Sequence, residues 1–328
     1  MTPAVFGDEQ LATRVGTLLG RQHPVFAAAM VTRFTTTVAS RGAGLDADFE
    51  IASISKGLTG LLYADALRRG EVGRDSTLGE LLPLGAAHIA GVTLDSLSIH
   101  RSGLPSLPRS AHPLRRTIAL WRHGTNPYGE NLEQLLIQAH GVKLGSPRPR
   151  YSNFGFELLG HALAGASGMT FADLVQSRLA RPLGLDGLYL PVTVEQLRPG
   201  ALIGRSRSGK PREPWTGEAV GPAGGVRACI QDMARLAVAL LDDSAPGISA
   251  LHPVAPFGGG TRIGAGWVIT EVDGRSITWH NGGSGGFRSW LGLDRKVGAG
   301  VVILSATSAS VDRHGFALLT EHTNMPVP

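Results

Sequence analysis

Three short motifs fall in order along the 328-residue chain, and each holds a side chain able to attack, move a proton or grip a polar atom. They are Ser53-Ile54-Ser55-Lys56, Tyr151-Ser152-Asn153 and His280-Asn281-Gly282. Each of the patterns S-x-x-K, Y-x-N and H-x-G occurs once. Chance alone gives about 0.3 S-x-x-K matches in a chain of this composition, so that motif takes its weight from the other two. A serine hydroxyl is a poor nucleophile until a neighbouring base takes its proton. Residues three apart share a helix face, so Lys56 can lie beside Ser53 and act as that base in its neutral form, which burial favours. Tyr151 can relay protons between Ser53, Lys56 and a leaving group. Asn153 can hold the lysine or a substrate amide. His280 and Gly282 mark a strand end along which a substrate can lie, and the backbone N–H groups of Ser53 and Gly283 are candidates for an oxyanion hole.

The elements needed to position these groups can be read from local pattern. Residues 25–39 are apolar and β-branched and predict two strands, with a short third piece at 49–51. From Ser53, leucines 58, 61, 62 and 67 recur at helical spacing, Arg68 and Arg69 suit a helix C-terminus, and Gly70 supplies a left-handed cap. That predicts a helix over about 53–69 with Ser53 at its positive end. Further helices are expected at 154–166, at 171–179 closed by Pro182 and Gly184, at 227–242 and at 310–322. Asp273-Gly274 is a two-residue hairpin signal between strands at 266–272 and 275–280. Two more strands follow at 287–293 and 299–305. The stretch 102–130, rich in Pro, Arg and Ser, is too long for a simple connector and is expected to wall the site. Strands at both chain ends with helices between them predict an α+β fold: one antiparallel sheet from the N- and C-terminal segments, flanked by helices, with a large mainly helical insert. The expected organisation is a single catalytic domain over 1–328. Residues 1–70 and 221–328 form its α/β subdomain and 71–220 its helical subdomain.

The sequence resembles the serine β-lactamase and penicillin-binding-protein superfamily, in particular the class C β-lactamase and D-alanyl-D-alanine carboxypeptidase group with family VIII carboxylesterases and D-aminopeptidases. The likeness runs through FEIASISKGLTG, LSIHRSGLP, RYSNFGFELLGHALAGASGM, RPLGLDGLYLP, GPAGGVRACIQDMARLAVALL and WHNGGSGGFRSWLGLD. It implies a β-lactamase/transpeptidase-like fold, acylation of Ser53, acid–base roles for Lys56 and Tyr151, and release of the acyl group by water. It implies no metal or organic cofactor. One position departs from the pattern. His280 stands where true β-lactamases carry a lysine that helps bind the substrate carboxylate, and a histidine is largely uncharged at neutral pH. Arg288 is then the alternative carboxylate anchor or a structural residue. No equivalent of the extra deacylating glutamate of class A enzymes is visible. The expected activity is hydrolysis of a small ester or amide rather than of β-lactams, with acyl transfer to an amine or alcohol as the alternative.

Composition narrows the other possibilities. Hydrophobic residues at 42% and charged residues at 17% describe an ordinary globular chain and exclude disorder. A net charge of +5 raises nucleic acid as a partner, but only four of 31 basic residues are lysine and the arginines are scattered. The densest stretch, Arg109 to Arg122, lacks interleaved aromatics, so no nucleic-acid partner is expected. No apolar run has membrane-spanning length, so no membrane partner is expected either. The first ten residues lack a secretory pattern, which predicts a cytoplasmic location. The lone Cys229 reads as a core residue. Ser284, within a literal G-x-S-x-G, precedes a strand rather than a helix and is read as a decoy. Glu157 and His161 at i and i+4 lack a third ligand and read as a helix-surface contact. Asn153 is alternatively a helix cap. Trp121, Tyr128 and Trp215 are packing residues or pocket walls.

Overall fold

The computed structural model describes residues 3–108 and 111–324. Arg109, which opens the arginine-rich stretch, lies outside the described residues.

Eleven strands appear in chain order: β1 (Val5–Gly7), β2 (Phe26–Thr32), β3 (Thr36–Arg41), β4 (Phe49–Glu50), β5 (Arg227–Ala228), β6 (Ala255–Gly258), β7 (Thr261–Ile263), β8 (Val268–Val272), β9 (Arg275–Gly283), β10 (Arg288–Asp294) and β11 (Ala299–Ser305). The helices of eleven or more residues are α1 (Glu9–Leu19), α2 (Ile54–Arg69), α3 (Pro113–His123), α4 (Asn153–Ser167), α5 (Ile230–Leu241) and α6 (Asp312–Asn324). Nine strands form one open antiparallel sheet in the order β1-β3-β2-β11-β10-β9-β8-β7-β6, and β4 pairs separately with β5. The N-terminal strands thus dock on the last strand of the chain, as the α+β reading expects.

Side-chain alternation splits the sheet into two apolar faces. Phe26, Ala28, Ile277, Trp290, Val301 and Ile303 point to one face, where α1 and α6 cover them. Ala27, Ala29, Leu291, Leu293, Val302 and Leu304 point to the other, towards α2 and α5. Helix α2 is the centre of that second layer and is buried nearly all round rather than on a single leucine face. Gly57 and Gly60 make this possible. A Cβ on Gly57 would come within 2.7 Å of the Trp267 ring, and one on Gly60 within 1.8 Å of the Ala265 carbonyl oxygen. At its far end Gly70 takes the left-handed conformation with φ 71°. There Arg68 and Arg69 do more than face the helix dipole, because both bond to the buried Asp65, which Arg178 also reaches.

Other expectations need correction. The helix from Phe171 does not close at Pro182. It runs through a π-helical stretch, Gln176–Ala180, into Arg181–Leu183, and ends only at Gly184. A widened turn is a usual way for a helix to accommodate a proline that lacks an N–H. The 102–130 stretch is not a plain loop, since it contains α3. Cys229 is buried and precedes α5 as its N-cap. No single helix among the described residues is long and apolar enough to cross a membrane.

Candidate active site

Ser53 sits at the positive end of α2, and the chain enters it through a constrained turn. Ala52 has φ 46°, a left-handed conformation that a non-glycine residue holds only when its surroundings enforce it. Those surroundings are β4 and β5. Arg227, fully buried, bonds to Asp48 and Glu50, and Glu50 also accepts from the Trp215 N–H. Buried carboxylates need a partner, and Arg227 is the cation shared by both, while burial raises the Glu50 pKa. The ion cluster therefore ties the strand just before Ser53 to the strand just after the Gly221–Gly224 turn.

That turn holds Lys56. Thr59 Oγ1 donates to the Pro222 carbonyl at 2.8 Å, and Lys56 Nζ donates to the Ala223 carbonyl at 2.6 Å. The same Nζ lies 3.2 Å from Ser53 Oγ. Ser53 is the N-cap residue of α2, yet its hydroxyl caps no helix N–H and stays available to Lys56. Lys56 has no exposed surface, and burial pushes its pKa down to about 7 against the opposing pull of Glu157. A neutral amine is thus populated near neutrality.

Tyr151 closes the group. Its ring centroid is 4.8 Å from Lys56 Nζ, and its hydroxyl hydrogen-bonds with Ser53. Burial of that hydroxyl holds its pKa above the usual tyrosine value, although the residue as a whole is 38% exposed. His100 backs the ring at 4.5 Å and accepts the Ser152 N–H on Nδ1, with Phe257 stacked beyond it. The helix cap before Phe154 is Ser152, whose Oγ accepts from Gly155 N, and not Asn153. Asn153 is free for the site. Its Nδ2 donates to Tyr128 Oη at 2.8 Å, and its buried Oδ1 has no partner among the described residues.

The third motif lies on β9. Pairing with β8 ends at Val268 and Trp279, so His280–Gly283 has β10 on one side and no strand on the other. His280 and Gly282 point to the α2 face. A Cβ on Gly282 would come within 2.2 Å of the Ile51 carbonyl oxygen and 3.0 Å of Ser53 N, so only glycine lets β9 approach the nucleophile this closely. His280 is buried and neutral. Burial first, and then Lys56, push its pKa down to about 3, and Nδ1 donates to the Asn281 carbonyl at 2.6 Å. Asn281 and Gly283 point to the opposite face, and Arg288, opposite Gly283 in register, goes with them. Its guanidinium occupies the space a Gly283 Cβ would take. The structure therefore brings Ser53, Lys56, Tyr151, Asn153, His280 and Gly282 together on one face, with Gly283 at its edge and Arg288 behind it.

The remaining sequence readings resolve as follows. Ser284 is buried beside Glu50 and its Oγ accepts the Phe287 N–H, so it serves a strand turn. Glu157 and His161 are buried, not on a helix surface, and the described residues hold no cluster suited to a metal. Glu157 was missed. It lies one turn beyond Asn153, its Oε1 has no partner among the described residues, and burial raises its pKa to about 8 while Lys56 opposes the rise. Tyr128 packs edge-on against Trp215, whereas Trp121 is 76% exposed.

A family model described as Beta-lactamase matches residues 11–321. The chain belongs to the beta-lactamase family. Among curated beta-lactamase relatives, the D-alanyl-D-alanine-carboxypeptidase/endopeptidase AmpH of Escherichia coli (strain K12) is 29% identical over 79% of this chain and 71% of its own length. The unguisins hydrolase ungD' of Aspergillus campestris is 26% identical over 70% of this chain and 45% of its own. A beta-lactamase of Escherichia coli (strain K12) is 28% identical over 57% and 46%. The relatives named as enzymes are hydrolases, and hydrolysis is the activity this membership supports.

Proposed function

We propose that this beta-lactamase-family hydrolase works through an acyl-enzyme on Ser53 and cleaves a small ester or amide. The observation that carries this is the 3.2 Å approach of a fully buried Lys56 amine, with its pKa down to about 7, to Ser53 Oγ at a helix N-terminus. Neutral Lys56 takes the Ser53 proton as Oγ bonds to the substrate carbonyl carbon. The resulting oxyanion is stabilised by the Ser53 and Gly283 N–H groups and the α2 dipole. The proton passes through Tyr151 to the leaving oxygen or nitrogen as that bond breaks. Water, deprotonated by the same pair, then attacks the acyl-enzyme and restores Ser53. Asn153 and the free edge of β9 hold the substrate.

Neutral His280 supports esters and amides over β-lactams, because it offers no cation for a carboxylate beside the reacting carbonyl. The names of the carboxypeptidase and unguisin-hydrolysing relatives support an amide as readily as an ester. One catalytic domain, with its α/β subdomain over 1–70 and 221–328 and its helical subdomain over 71–220, fits a site at the seam between the two. A fluorophosphonate probe tests the nucleophile. Adduct mass on the Ser53 peptide and loss of labelling and turnover in Ser53→Ala are expected. An adduct on Ser284 instead would overturn the assignment.

A further inference from the structure

Behind Gly283 the protein keeps a second polar space of the opposite character. Where β9 turns into β10 at Ser284 and Gly285, a cavity of about 510 Å³ opens, lined by Arg207, Arg212 and Arg288 together with Ser206, Ser308 and Trp121. No carboxylate lines it, and among the described residues none of the three arginines is in a salt bridge. The acidic group whose charge acts on Arg288 is Asp312, which already accepts from Asn281 Nδ2 at 3.0 Å. Arg288 and Arg212 are aimed by backbone carbonyls and not by a counter-charge. Arg288 Nη1 donates to the Ser284 and Phe287 carbonyls, and Arg212 Nη1 donates to the Leu120 carbonyl at 2.8 Å. The Nε of Arg212 is buried without a partner among the described residues. Ser308 Oγ accepts the Arg207 backbone N–H, which leaves the serine proton to donate elsewhere.

Gathering cations without an anion is unfavourable, and here the strain is visible. Burial and the proximity of Arg207 both work against the charge on Arg288. A guanidinium cannot relieve this by losing its proton, but a bound anion can. Planar forks also match carboxylate or phosphate oxygens two at a time. The direction of approach follows from the site. The leaving group must face Tyr151, which leans on His100, itself stacked on Phe257. The acyl arm of a substrate whose oxyanion sits at Ser53 and Gly283 then runs the other way, past Gly283 towards Ser284, Gly285 and the cavity.

We propose that this cavity binds an anionic group, a carboxylate or a phosphate, at the far end of the substrate's acyl arm, so that the protein selects negatively charged acyl groups. This rests on acylation at Ser53. The test compares three p-nitrophenyl esters: the glutarate monoester, the 4-phosphonobutyrate and the uncharged valerate. The better anionic ester is expected to exceed valerate at least about 10-fold in kcat/KM, the scale of one charge-assisted hydrogen bond. Arg207→Gln and added salt should both shrink that ratio, and the preferred anion tells carboxylate from phosphate. In parallel, calorimetry on Ser53→Ala protein reads binding of glutarate and of 4-phosphonobutyrate without catalysis, and Arg207→Gln in that background should weaken it. Valerate turned over as fast as either anionic ester, with no anion binding to Ser53→Ala protein, would overturn the proposal. Anion binding with all three esters inert would instead remove the acyl-enzyme reading and leave the anion site standing.

Discussion

The two faces of β9 treat positive charge in opposite ways. On the α2 face lie three groups that can carry a proton, Lys56, His100 and His280; burial drives all three towards neutrality, and Lys56 adds to the push on both histidines. On the other face, one residue along the strand, stand arginines that cannot discharge. The difference teaches what each residue type is for. Lysine and histidine tune their charge to the environment, whereas arginine forces the environment to supply a partner. Arg227 is the exception that supports the rule, a cation on the buried side held there by Asp48 and Glu50.

The contrast breaks most severely if a permanent cation is put where a titratable one stands. Lys56→Arg should lower the acylation rate by about 10²–10⁴-fold, the usual worth of a general base, because arginine keeps its proton. Single-turnover acylation, with circular dichroism to verify folding, measures it. Near-normal acylation would exclude Lys56 as the base. The next effect is on stability. Arg227→Ala leaves Asp48 and Glu50 buried without their partner and should destabilise the fold by about 3–5 kcal/mol, read from denaturant midpoints. An unchanged midpoint would mean that the cluster does not hold β4 to β5.

The smallest effect sharpens the comparison. Turnover should rise with pH through about 7 as Lys56 loses its proton. The Glu157 carboxylate favours the charged lysine, but with a pKa of about 8 it is largely protonated where Lys56 titrates, so Glu157→Gln should move that rise only slightly to lower pH while sparing the plateau. Its sign in stability is also fixed. The Glu157 pKa is raised from 4.5 to about 8, so the folded state holds that proton more tightly than the unfolded chain and loses stability as pH climbs through this window. Glutamine lacks that loss, and its advantage should grow from pH 4.5 to about 8 and then level. A pH–rate profile that Glu157→Gln moves by about one pH unit or more would mean that the carboxyl is charged beside the lysine and not held protonated.

Much of this was legible. The cap at Gly70, the Asp273-Gly274 hairpin and the three motifs were read from local signals, and the helices and strands that carry those motifs form within a few residues of where pattern put them. Helix α1 was legible too, through the Asp8 cap and buried Leu11, Val15 and Leu19, but it was not read. β6 and β7 are too short, and too close to Gly258–Gly260, to show a period. The placement of Arg288 could not be read, because the face a residue takes depends on where β9 alternation starts relative to α2. The burial of Glu157 is deducible only once α4 is known to be enclosed on every side: a helix with no wet face must bury whatever carboxyl it carries.

The early end of β8 has a further consequence. It leaves a notch at the end of β9, the last four residues His280–Gly283, which pair with β10 on one side and with no described strand on the other. A notch of this kind recognises the main chain of whatever enters and is blind to its side chains. Tolerance towards the substrate's middle is therefore built in, and discrimination passes to its two ends. The same amides should exchange their hydrogens quickly in the empty protein and slowly under a bound inhibitor, while their neighbours across β10 stay protected throughout.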